Sequence, residues 1–523
     1  MGQLIQDLLA PNDQVIETHI SWVLLRGDDV FKIKKPVALG FLDFSGLEQR
    51  RAACEAEREL NARLAPGVYL SCVPVTRDLQ GRHRFGGEGE PVEWAVHMKR
   101  LPLADRADVR LAHGRLDARC LEQVAERLAE FHASARCDET TTAFGSVATI
   151  ATNVRENFEQ TRDRLERFIS AQQAEEMEVW QTAFLDTHGE RFEARQHAGR
   201  VRDGHGDLRL EHVYFGPGDE VLVLDCIEFN DRFRFADVCA DIAFLAMDLA
   251  WHDRPELAER FLASYAQQTN DYELYRLVDF YESYRAFVRG KIASISAVDP
   301  QSPHDVRQRA TEEARKYFLL AQASERRALV PPRVVAVGGI IASGKSTVAG
   351  ALGARLAVPV LEADRTRKAL LGVASTDPLH VPAWSGPYAP GQTERTYDEL
   401  WRRADAVLAS GRSVIIDASF RSRAKRLAAR ELARRHDVPF LFVECQVDQA
   451  VCRWRLHQRA RSASTSDGRL EIFDDFVASW ERVDELAESE HQVLETTQPI
   501  ASNLQVLLDR LGIETPSRVP AYL

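Results

Sequence analysis

The sequence lacks the features of a membrane-spanning, secreted or disulfide-bonded protein. No run approaches the ~20 apolar residues that a membrane helix needs, and the N-terminus has neither a basic segment nor a long apolar core, so we expect no signal peptide. The eight cysteines include no C-x-x-C pair and no tight cluster. We therefore expect reduced, buried thiols, a cytoplasmic location and no membrane partner.

The chain also lacks a net positive charge. The 523 residues carry a formal net charge of −12, so no overall basic surface favours long nucleic acids or anionic membranes, although a local basic groove is compatible with this total. Hydrophobic residues make up 45% and charged residues 28% of the chain, which is typical of globular proteins. The length predicts two or more domains, each with its own core.

The strongest motif runs from Val334 to Thr347 and reads VVAVGGIIASGKST. A β-branched apolar run, typical of a strand buried on both faces, leads into the pattern G-x-x-x-x-G-K-[ST] at the start of a helix. In such a phosphate-binding loop (P-loop), backbone N–H groups surround the phosphates, the lysine reaches the β- and γ-phosphates, and the hydroxyl ligates Mg²⁺. We therefore expect ATP and Mg²⁺ to be bound by Gly339, Ile340, Ile341, Ala342, Ser343, Gly344, Lys345, Ser346 and Thr347.

Strands and helices alternate from this loop onwards, which predicts an α/β P-loop NTPase domain with a parallel, doubly wound sheet. The polar segment at residues 324–333 ends in a proline pair and predicts the boundary between a domain at 1–328 and a domain at 331–523. The predicted strands are Val334–Val337, Pro359–Leu361, Val414–Ile416, Phe440–Val443 and Gln492–Leu494.

The N-terminal half carries an acidic hairpin between helical segments. Its predicted strands are Val213–Phe215 and Val221–Leu224, with Asp207 just before the first and Asp225 just after the second. Such a hairpin brings two carboxylates to one edge, which suits phosphoryl transfer, since one can take the hydroxyl proton and the other can hold Mg²⁺. Upstream, a strand pair around Gly27, a charged helix, further strands and two helical stretches are predicted at 10–36, 46–64, 68–102, 115–135 and 151–198, and helices follow at 236–329.

The motif HGD ending at Asp207, followed by Asp225 and by a D-x-x-x-D at Asp237 and Asp241, resembles the aminoglycoside phosphotransferase family, kinases that share the protein-kinase fold. The resemblance covers most of residues 10–325 and implies an α+β protein-kinase-like fold. It also implies that Asp207 is the catalytic base, that Asp225 is a magnesium ligand and that the D-x-x-x-D is structural.

The same resemblance implies a strand lysine that pairs the α- and β-phosphates, which would be Lys32 or Lys34. Lys32 is preferred because the residue two before the lysine should be apolar and face the adenine, as Val30 can. The resemblance further implies a helix glutamate paired with this lysine and an adenine hinge, for which the candidates are Glu57, less well Glu55, and Met98.

One position departs from the family's pattern. The family has an asparagine five residues after the base, where this sequence has His212, and Mg²⁺ prefers hard oxygen ligands to imidazole. His212 is therefore a candidate metal ligand or a hydrogen-bonded structural residue. Either Glu228 or Asn230 completes the metal site, or this half binds nucleotide without turning it over.

Three features after the P-loop favour a kinase over a motor ATPase. Asp417 ends the third strand and suits a magnesium-binding role, but Ala418 follows it in place of a water-activating glutamate. Asp364 ends the second strand, where it can take a hydroxyl proton, and Arg367 can grip a substrate anion. An arginine-rich helix then runs into a serine-rich loop, as a lid over ATP would, and carries Arg453, Arg455, Arg459 and Arg461.

These residues make the C-terminal half resemble P-loop kinases of the polynucleotide-kinase, gluconate-kinase and zeta-toxin kind over about residues 331–523. Asp364 with Arg367 is similar to the D-x-x-R of polynucleotide 5′-kinases, whose acid serves as base. Three further arginines after Asp417 read as helix surface, although the first is within reach of a substrate phosphate; they are Arg421, Arg423 and Arg426.

The sequence therefore predicts an ATP-dependent phosphotransferase with two fused kinase folds. The C-terminal domain would transfer the ATP γ-phosphate to a hydroxyl of a nucleic-acid 5′ end, a nucleotide or a small molecule such as a sugar, and the N-terminal domain would be a second small-molecule kinase. Two alternatives stay open: an N-terminal pseudokinase that senses a ligand and regulates the other half, and an ATP-hydrolysing switch.

Overall fold

A computed structural model of the protein describes residues 2–39, 42–322, 328–379, 381–459 and 465–513. The chain divides into two compact units, one made of Met1–His252 and Phe280–Ala323, the other of Asp253–Asp279 and Ser324–Leu523. The domain bounds 1–328 and 331–523 stay a prediction, and the units differ from them in the placement of Asp253–Asp279. Nothing in the described ranges forms a helix with the length and apolarity of a membrane span.

The first unit begins with strands that are β1 (Gln14–Glu17), β2 (Ser21–Arg26), β3 (Asp29–Lys34), β4 (Ala38–Leu39), β5 (Leu42–Asp43), β6 (Tyr69–Arg77), β7 (His83–Phe85) and β8 (Pro91–Lys99). Six of them form an antiparallel sheet in the order β1-β2-β3-β8-β6-β7. In the predicted hairpin, Arg26 pairs with Asp29 around a two-residue turn. Gly27 in that turn has φ +57°, as such short turns require.

Helices follow and alternate with short strands. The strands are β9 (Val201–Asp203), β10 (Val213–Phe215), β11 (Val221–Val223) and β12 (Phe235–Asp237). The helices up to residue 320, of which α10 belongs to the second unit, are α1 (Gln3–Leu8), α2 (Leu47–Ala62), α3 (Ala107–Ala112), α4 (Ala118–Ser134), α5 (Glu139–Ala143), α6 (Val147–Thr161), α7 (Ala171–His197), α8 (Asp231–Arg234), α9 (Val238–Trp251), α10 (Pro255–Thr269), α11 (Val278–Val298) and α12 (His304–Leu320).

Two helices of this unit position its chemical residues. Helix α2 packs on β8 and β6 through a buried face that includes Cys54, Glu57 and Asn61, which carries a charged residue into the interior. Helix α9 is apolar on nearly all sides and buried, and Asp237 caps it by accepting a hydrogen bond from the N–H of Cys239 at 2.8 Å. The sheet and these helices form the α+β kinase-like fold that the sequence predicted.

The second unit is built on five parallel strands, β13 (Val334–Gly338), β14 (Val360–Glu362), β15 (Val414–Asp417), β16 (Phe440–Gln446) and β17 (His491–Glu495). Their order is β14-β15-β13-β16-β17, which confirms the predicted parallel sheet. The helices are α13 (Lys345–Leu356), α14 (Ala363–Leu370), α15 (Pro390–Ala409), α16 (Arg423–Arg435), α17 (Gln449–Arg459), α18 (Phe473–Ala478) and α19 (Ile500–Leu511).

The P-loop strand lies at the centre of this sheet. All five residues of β13 are buried, and Val335 and Val337 pack in one cluster with Leu352 of α13 and Leu507 of α19. Since β13 separates β15 from β16, the chain after β13 enters the crevice at the carboxyl ends of the strands, where ligands bind in such sheets. The loop from Gly338 to Lys345 is therefore at the expected place for a nucleotide.

Candidate active sites

The P-loop adopts backbone conformations that favour glycine at two positions. Gly339 has φ +146°, and a Cβ there would lie 2.5 Å from the carbonyl oxygen of Cys445. Gly344 has φ +94° and precedes Lys345, the first residue of α13. The loop therefore closes tightly around the helix N-terminus, which is the geometry that cradles phosphate groups. The Lys345 ammonium donates a hydrogen bond to the carbonyl oxygen of Ile340 at 2.9 Å.

One cavity of about 140 Å³ brings most of the predicted residues of this unit together. Eight of the nine predicted P-loop residues line it, the exception being Ser343, which is fully buried. Asp364, Arg367, Asp417 and Arg459 also line it. Arg461 lies outside the described residues.

Asp417 combines burial with contacts to the P-loop. It is the last residue of β15 and is 6% exposed. Burial raises the pKa of its carboxyl to about 6, although the Lys345 charge and a hydrogen bond with the Ser346 hydroxyl oppose the rise. Carboxylate and hydroxyl oxygens are ligands that Mg²⁺ prefers, and Mg²⁺ sites in kinases use one or two carboxylates together with substrate phosphates. The pair Asp417 and Ser346 therefore fits the predicted magnesium site.

Asp364 and Arg367 form an ion pair within α14. The Arg367 Nη1 atom lies 2.7 Å from Oδ1 of Asp364, and the guanidinium carbon lies 4.4 Å from the ring centroid of Tyr388. Arg367 is 6% exposed, and its Nε has no hydrogen-bond partner. The pair is thus held at the cavity wall with one donor of the guanidinium unused.

Of the arginines predicted for a lid, Arg459 lines the cavity, whereas Arg453 and Arg455 do not. Arg455 donates hydrogen bonds to the carbonyl oxygens of Ala342 (3.1 Å) and Thr496 (2.8 Å), so it supports the P-loop from behind. Arg453 pairs with Asp474, and neither arginine is part of the cavity wall.

Two arginines after Asp417 differ from the helix surface that the sequence predicted. Arg426 is fully buried and paired with Glu485, because α16 packs against the segment that follows α18. Arg421 lines the cavity. Only Arg423 is exposed as expected, with a side chain that is 57% exposed.

Sequence reasoning missed a buried cluster around Lys368. This lysine is 0% exposed, donates hydrogen bonds to the carbonyl oxygens of Thr465 (2.9 Å) and Ser375 (3.1 Å), and lies 3.3 Å from Asp467. The Tyr388 hydroxyl donates to the same aspartate at 2.7 Å. The cluster joins two segments of the cavity wall that are 79 residues apart, so no local pattern could have revealed it.

In the first unit, both strand lysines converge on one buried glutamate. Lys32 lies 2.8 Å from Glu57 and 2.6 Å from Asp225, whereas Lys34 lies 2.7 Å from Glu57 and also contacts Glu228. Burial lowers the pKa of Lys32, but the Asp225 and Glu57 carboxylates outweigh it and leave the pKa well above its usual value. The predicted pair of Lys32 and Glu57 is therefore assembled, Asp225 contacts the same lysine, and Lys34 forms a second, parallel bridge.

The loop that carries Asp207 is held by its neighbours in sequence. Arg209 donates two hydrogen bonds of 3.0 Å to the Asp207 carboxylate, and the Nδ1–H of His212 donates to the Asp207 carbonyl oxygen at 2.8 Å. Burial raises the pKa of Asp207, but the Arg209 and His212 charges outweigh it, and the pKa lies below its usual range. The pairing with Arg209, two residues after the acid, was not expected from the sequence.

His212 bridges the two acidic residues. With Nδ1 bonded to the Asp207 carbonyl, its Nε2 lies 3.6 Å from Oδ2 of Asp225, so an imidazole nitrogen borders the predicted metal position. The alternatives for a third ligand are both engaged, because Glu228 contacts Lys34 and Asn230 accepts a hydrogen bond from the N–H of Arg232 at 3.1 Å. No cluster of three or more His, Cys, Asp or Glu side chains arranged around a metal position occurs in the parts of the chain that are described.

The D-x-x-x-D acids hydrogen-bond to the loop before Asp207 and to Arg195. The Asp241 carboxylate accepts hydrogen bonds from the N–H groups of His205 (2.7 Å) and Gly206 (2.8 Å). Gly206 has φ +87°, and a Cβ there would lie 2.9 Å from the carbonyl oxygen of Phe233. Asp237 accepts two hydrogen bonds from Arg195, at 2.6 and 2.7 Å.

The remaining candidates lie as follows. Met98 pairs with Val30 across β3 and β8, beside the predicted adenine position. Glu55 forms an exposed ion pair with Arg51, so it is not the partner of Lys32.

The comparisons with known proteins agree with these two folds. A model described as "Phosphotransferase enzyme family" matches residues 41–278, and a model described as "AAA domain" matches residues 334–483. Fold and matches together define a protein with an aminoglycoside-phosphotransferase-type kinase domain followed by a P-loop kinase domain.

Relatives that match across most of the chain occur in mycobacteria. Uncharacterized proteins of Mycobacterium tuberculosis and Mycobacterium bovis are each 33% identical to this chain over 466 residues, which is 88% of this chain and 89% of the relative. The chain belongs to the same family as these proteins.

Solved structures similar to each half are more distant. A gluconokinase from Sinorhizobium meliloti is 22% identical with a TM-score of 0.26, covering 36% of this chain and 94% of that chain. Aminoglycoside 2′-phosphotransferase-IIIa in its GDP complex is 14% identical with a TM-score of 0.34, covering 60% of this chain and 94% of that chain.

Proposed function

We propose that this protein is an ATP- and Mg²⁺-dependent phosphotransferase whose P-loop unit phosphorylates a hydroxyl group. The observation that carries the proposal is the convergence of Lys345, Asp417 and Asp364 on one cavity. A P-loop alone serves ATPases and kinases equally, but a second acid opposite the P-loop supplies the proton acceptor that transfer to a hydroxyl requires. Fold does not fix the acceptor. The proposal includes the cytoplasmic location argued from composition.

The chain's own residues divide the work of transfer. Asp364 takes the proton from the acceptor hydroxyl. The hydroxyl oxygen bonds to the γ-phosphorus as the bond between that phosphorus and the bridging oxygen breaks, and ADP leaves. Lys345 offsets the negative charge on the transferred group, and the Asp364–Arg367 ion pair holds the carboxylate in orientation. Arg459 adds a further positive charge at the cavity wall. Bound Mg²⁺, held by the Ser346 hydroxyl and Asp417, would neutralise phosphate charge.

The first unit is proposed as a second kinase site. Lys32, fixed between Glu57 and Asp225, is placed to contact the α- and β-phosphates, and Asp207 is the proton acceptor. The arrangement also supports the rival reading of a pseudokinase, because Asp207 is already bonded to Arg209 and an imidazole borders the metal position.

The test is label transfer from γ-³²P-ATP into pooled metabolites and into nucleic-acid 5′ ends, with the full chain and single variants. Asp364→Asn should lower label transfer by about 10²–10⁴-fold while ATP still binds, and Lys345→Ala should abolish ATP binding at the P-loop. Phosphate release without any labelled acceptor would favour the ATP-hydrolysing switch. In a Lys345→Ala background, equal residual ATP consumption with and without Asp207→Asn would remove catalysis from the first unit.

A further inference from the structure

Arg421 is held by aromatic rings rather than by a carboxylate. Its guanidinium carbon lies 3.8 Å from the ring centroid of Trp384 and 5.5 Å from that of Phe476, and these two rings stack 4.5 Å apart. All three side chains line the P-loop cavity. Aromatic faces attract a cation and fix its position but leave its full charge in place.

A nearby arginine is paired in a different way. Arg426, five residues on, is buried against the carboxylate of Glu485. In contrast, the Arg421 guanidinium forms no ion pair among the described residues. The nearby Glu481 carboxylate is engaged elsewhere, since it accepts a hydrogen bond from the N–H of Arg423 at 2.6 Å. Arg421 therefore presents to the cavity a positive charge that no ion pair among the described residues neutralises.

A second guanidinium with spare capacity lies in the same cavity. Arg367 is 6% exposed. One of its nitrogens pairs with Asp364, and its Nε has no hydrogen-bond partner. Burial lowers the pKa of Arg421, and the charge of Arg367 lowers it further. Two buried or partly buried cations that repel each other, only one of which pairs with a carboxylate, are stabilised by an anion bound at both.

Local backbone strain supports a binding role for the ring that holds Arg421. Trp384 has φ +59°, a conformation that a bulky residue rarely adopts. Strain of this kind is unfavourable by itself and is found where the surrounding structure imposes it, often at ligand-binding sites. In this backbone conformation the indole ring lies against the Arg421 guanidinium.

We infer that Arg421, Trp384 and Phe476, together with Arg367, form an anion subsite for the phosphate acceptor, so that the acceptor is a small polyol bearing a phosphate or a carboxylate. The inference rests on the proposed function, because only that function makes the bound molecule a phosphate acceptor. The anion spans the two guanidinium groups, which leaves the hydroxyl of the same molecule directed toward Asp364. The P-loop, Asp364 and both guanidinium groups line one cavity, so the anion and the hydroxyl can belong to one acceptor molecule.

The subsite is tested by equilibrium dialysis with the full-length protein in saturating ADP and Mg²⁺, so that nucleotide sites are filled. The probes are labelled ribose 5-phosphate and gluconate, each with a neutral counterpart, ribose and glucitol. We expect saturable binding of at least one anionic probe and much weaker binding of its neutral counterpart. Whichever anion binds more tightly distinguishes a phosphate from a carboxylate as the recognised group.

Arginine variants then test the assignment of residues. Arg421→Gln should weaken binding of the anion by about tenfold or more, since a charge-assisted hydrogen bond is removed, and Arg421→Lys should weaken it less. Arg423→Gln is the matched control, because that exposed side chain does not line the cavity; it should leave binding unchanged. Equal anion binding by the wild type and Arg421→Gln overturns the inference, as does binding of neutral and anionic probes alike.

Two further outcomes separate this inference from the proposed function. If a 5′-hydroxyl oligonucleotide binds and neither small anion does, the small-acceptor inference is wrong, although the kinase proposal stands. If the anion binds in an Arg421-dependent manner but no label is transferred to any acceptor, the subsite stands and the proposed transfer reaction is wrong.

Discussion

The Nζ of Lys34 lies 2.7 Å from Oε2 of Glu57, and both side chains are completely buried. Lys32, two residues earlier on the same strand, contacts the other oxygen of that glutamate, but its side chain is 16% exposed and its second partner is Asp225. The two lysines therefore differ in what lies beyond Glu57. Lys32 contacts Asp225, the predicted magnesium ligand, whereas Lys34 contacts Glu228, whose side chain is nearly buried.

Replacing each lysine by methionine should separate a nucleotide-binding role from a structural one. Burial lowers the pKa of Lys34, but Glu228 and Glu57 outweigh it and leave the pKa above its usual value. Lys34→Met leaves two buried carboxylates with one cation, so we expect a loss of about 3–5 kcal/mol in the free energy of unfolding. Lys32→Met should weaken binding of a fluorescent ATP analogue at the first unit with a smaller loss of stability. Denaturant unfolding and titrations in a Lys345→Ala background measure both; a reversed pattern would show that Lys34 is the ATP lysine.

Much of the fold and part of each site could be predicted from the sequence, because the signals are local. The β-branched run before Gly339 and the acids near strand ends are patterns of a few residues, and parallel topology then brings Asp364 and Asp417 to one edge. Asp417 ends β15 as predicted, but β14 ends at Glu362, so Asp364 lies in the first turn of α14 and not at the end of the strand. Contacts made by distant segments could not be predicted in this way. Lys34 and Glu228 are 194 residues apart, and the aromatic support of Arg421 comes from two separate segments. Even the Asp207–Arg209 pair was missed, since loop backbone decides whether residues two apart meet.

His205 should make the stability of the first unit depend on pH. Burial lowers its pKa to about 4, although the hydrogen bond from its Nε2–H to the Leu224 carbonyl oxygen (2.9 Å) opposes the shift. Its Nδ1 accepts a hydrogen bond from the N–H of Asp207 (3.2 Å), which a protonated ring could not do. The unfolded chain has a histidine pKa of about 6.5. The folded pKa is the lower one, so the stabilisation is present above pH ~6.5 and is lost as the pH falls toward 4, by about 3 kcal/mol.

A pH series of thermal unfolding measures this effect. The melting temperature of the first unit should fall between pH 7.5 and 4.5 more steeply in the wild type than in His205→Gln, which cannot titrate there. Other groups titrate in both proteins and cancel in the comparison. Parallel curves for the two proteins would show that His205 is not held neutral in the folded state.

The metal preference of the first unit should depend on His212. Its Nε2 lies 3.6 Å from Asp225, and imidazole suits Mn²⁺ or Co²⁺ better than Mg²⁺. His212→Asn replaces this nitrogen by a hard amide oxygen, so we expect the concentration of Mg²⁺ needed for binding of a fluorescent ATP analogue to fall several-fold and that of Co²⁺ to rise. The measurement uses a Lys345→Ala background, which silences the P-loop. An unchanged ratio of Mg²⁺ to Co²⁺ requirement would assign His212 a structural role only.

The stability of the P-loop unit should depend on the segment Asp253–Asp279. Arg412, just before β15, lies 2.8 Å from Glu259 of α10 and 2.9 Å from Asp279, and the two carboxylates outweigh burial and leave its pKa well above the usual value. Arg412→Leu should therefore lower the free energy of unfolding by about 3 kcal/mol, because two partly buried carboxylates lose their cation.

Truncation gives a second measure of the same contact. A fragment of residues 331–523 lacks both carboxylates and uncovers the surface against which the buried Tyr272 and Tyr275 pack, so it should be less soluble and melt lower than the same unit in the full chain. Arg434→Ala is the control, since that arginine is 76% exposed and its pair with Glu431 is worth at most about 1 kcal/mol. If the fragment melts at the same temperature as the full chain's P-loop unit, residues 253–279 contribute nothing to its stability, and the boundary between the two domains belongs near residue 330, as the polar segment of the sequence predicts.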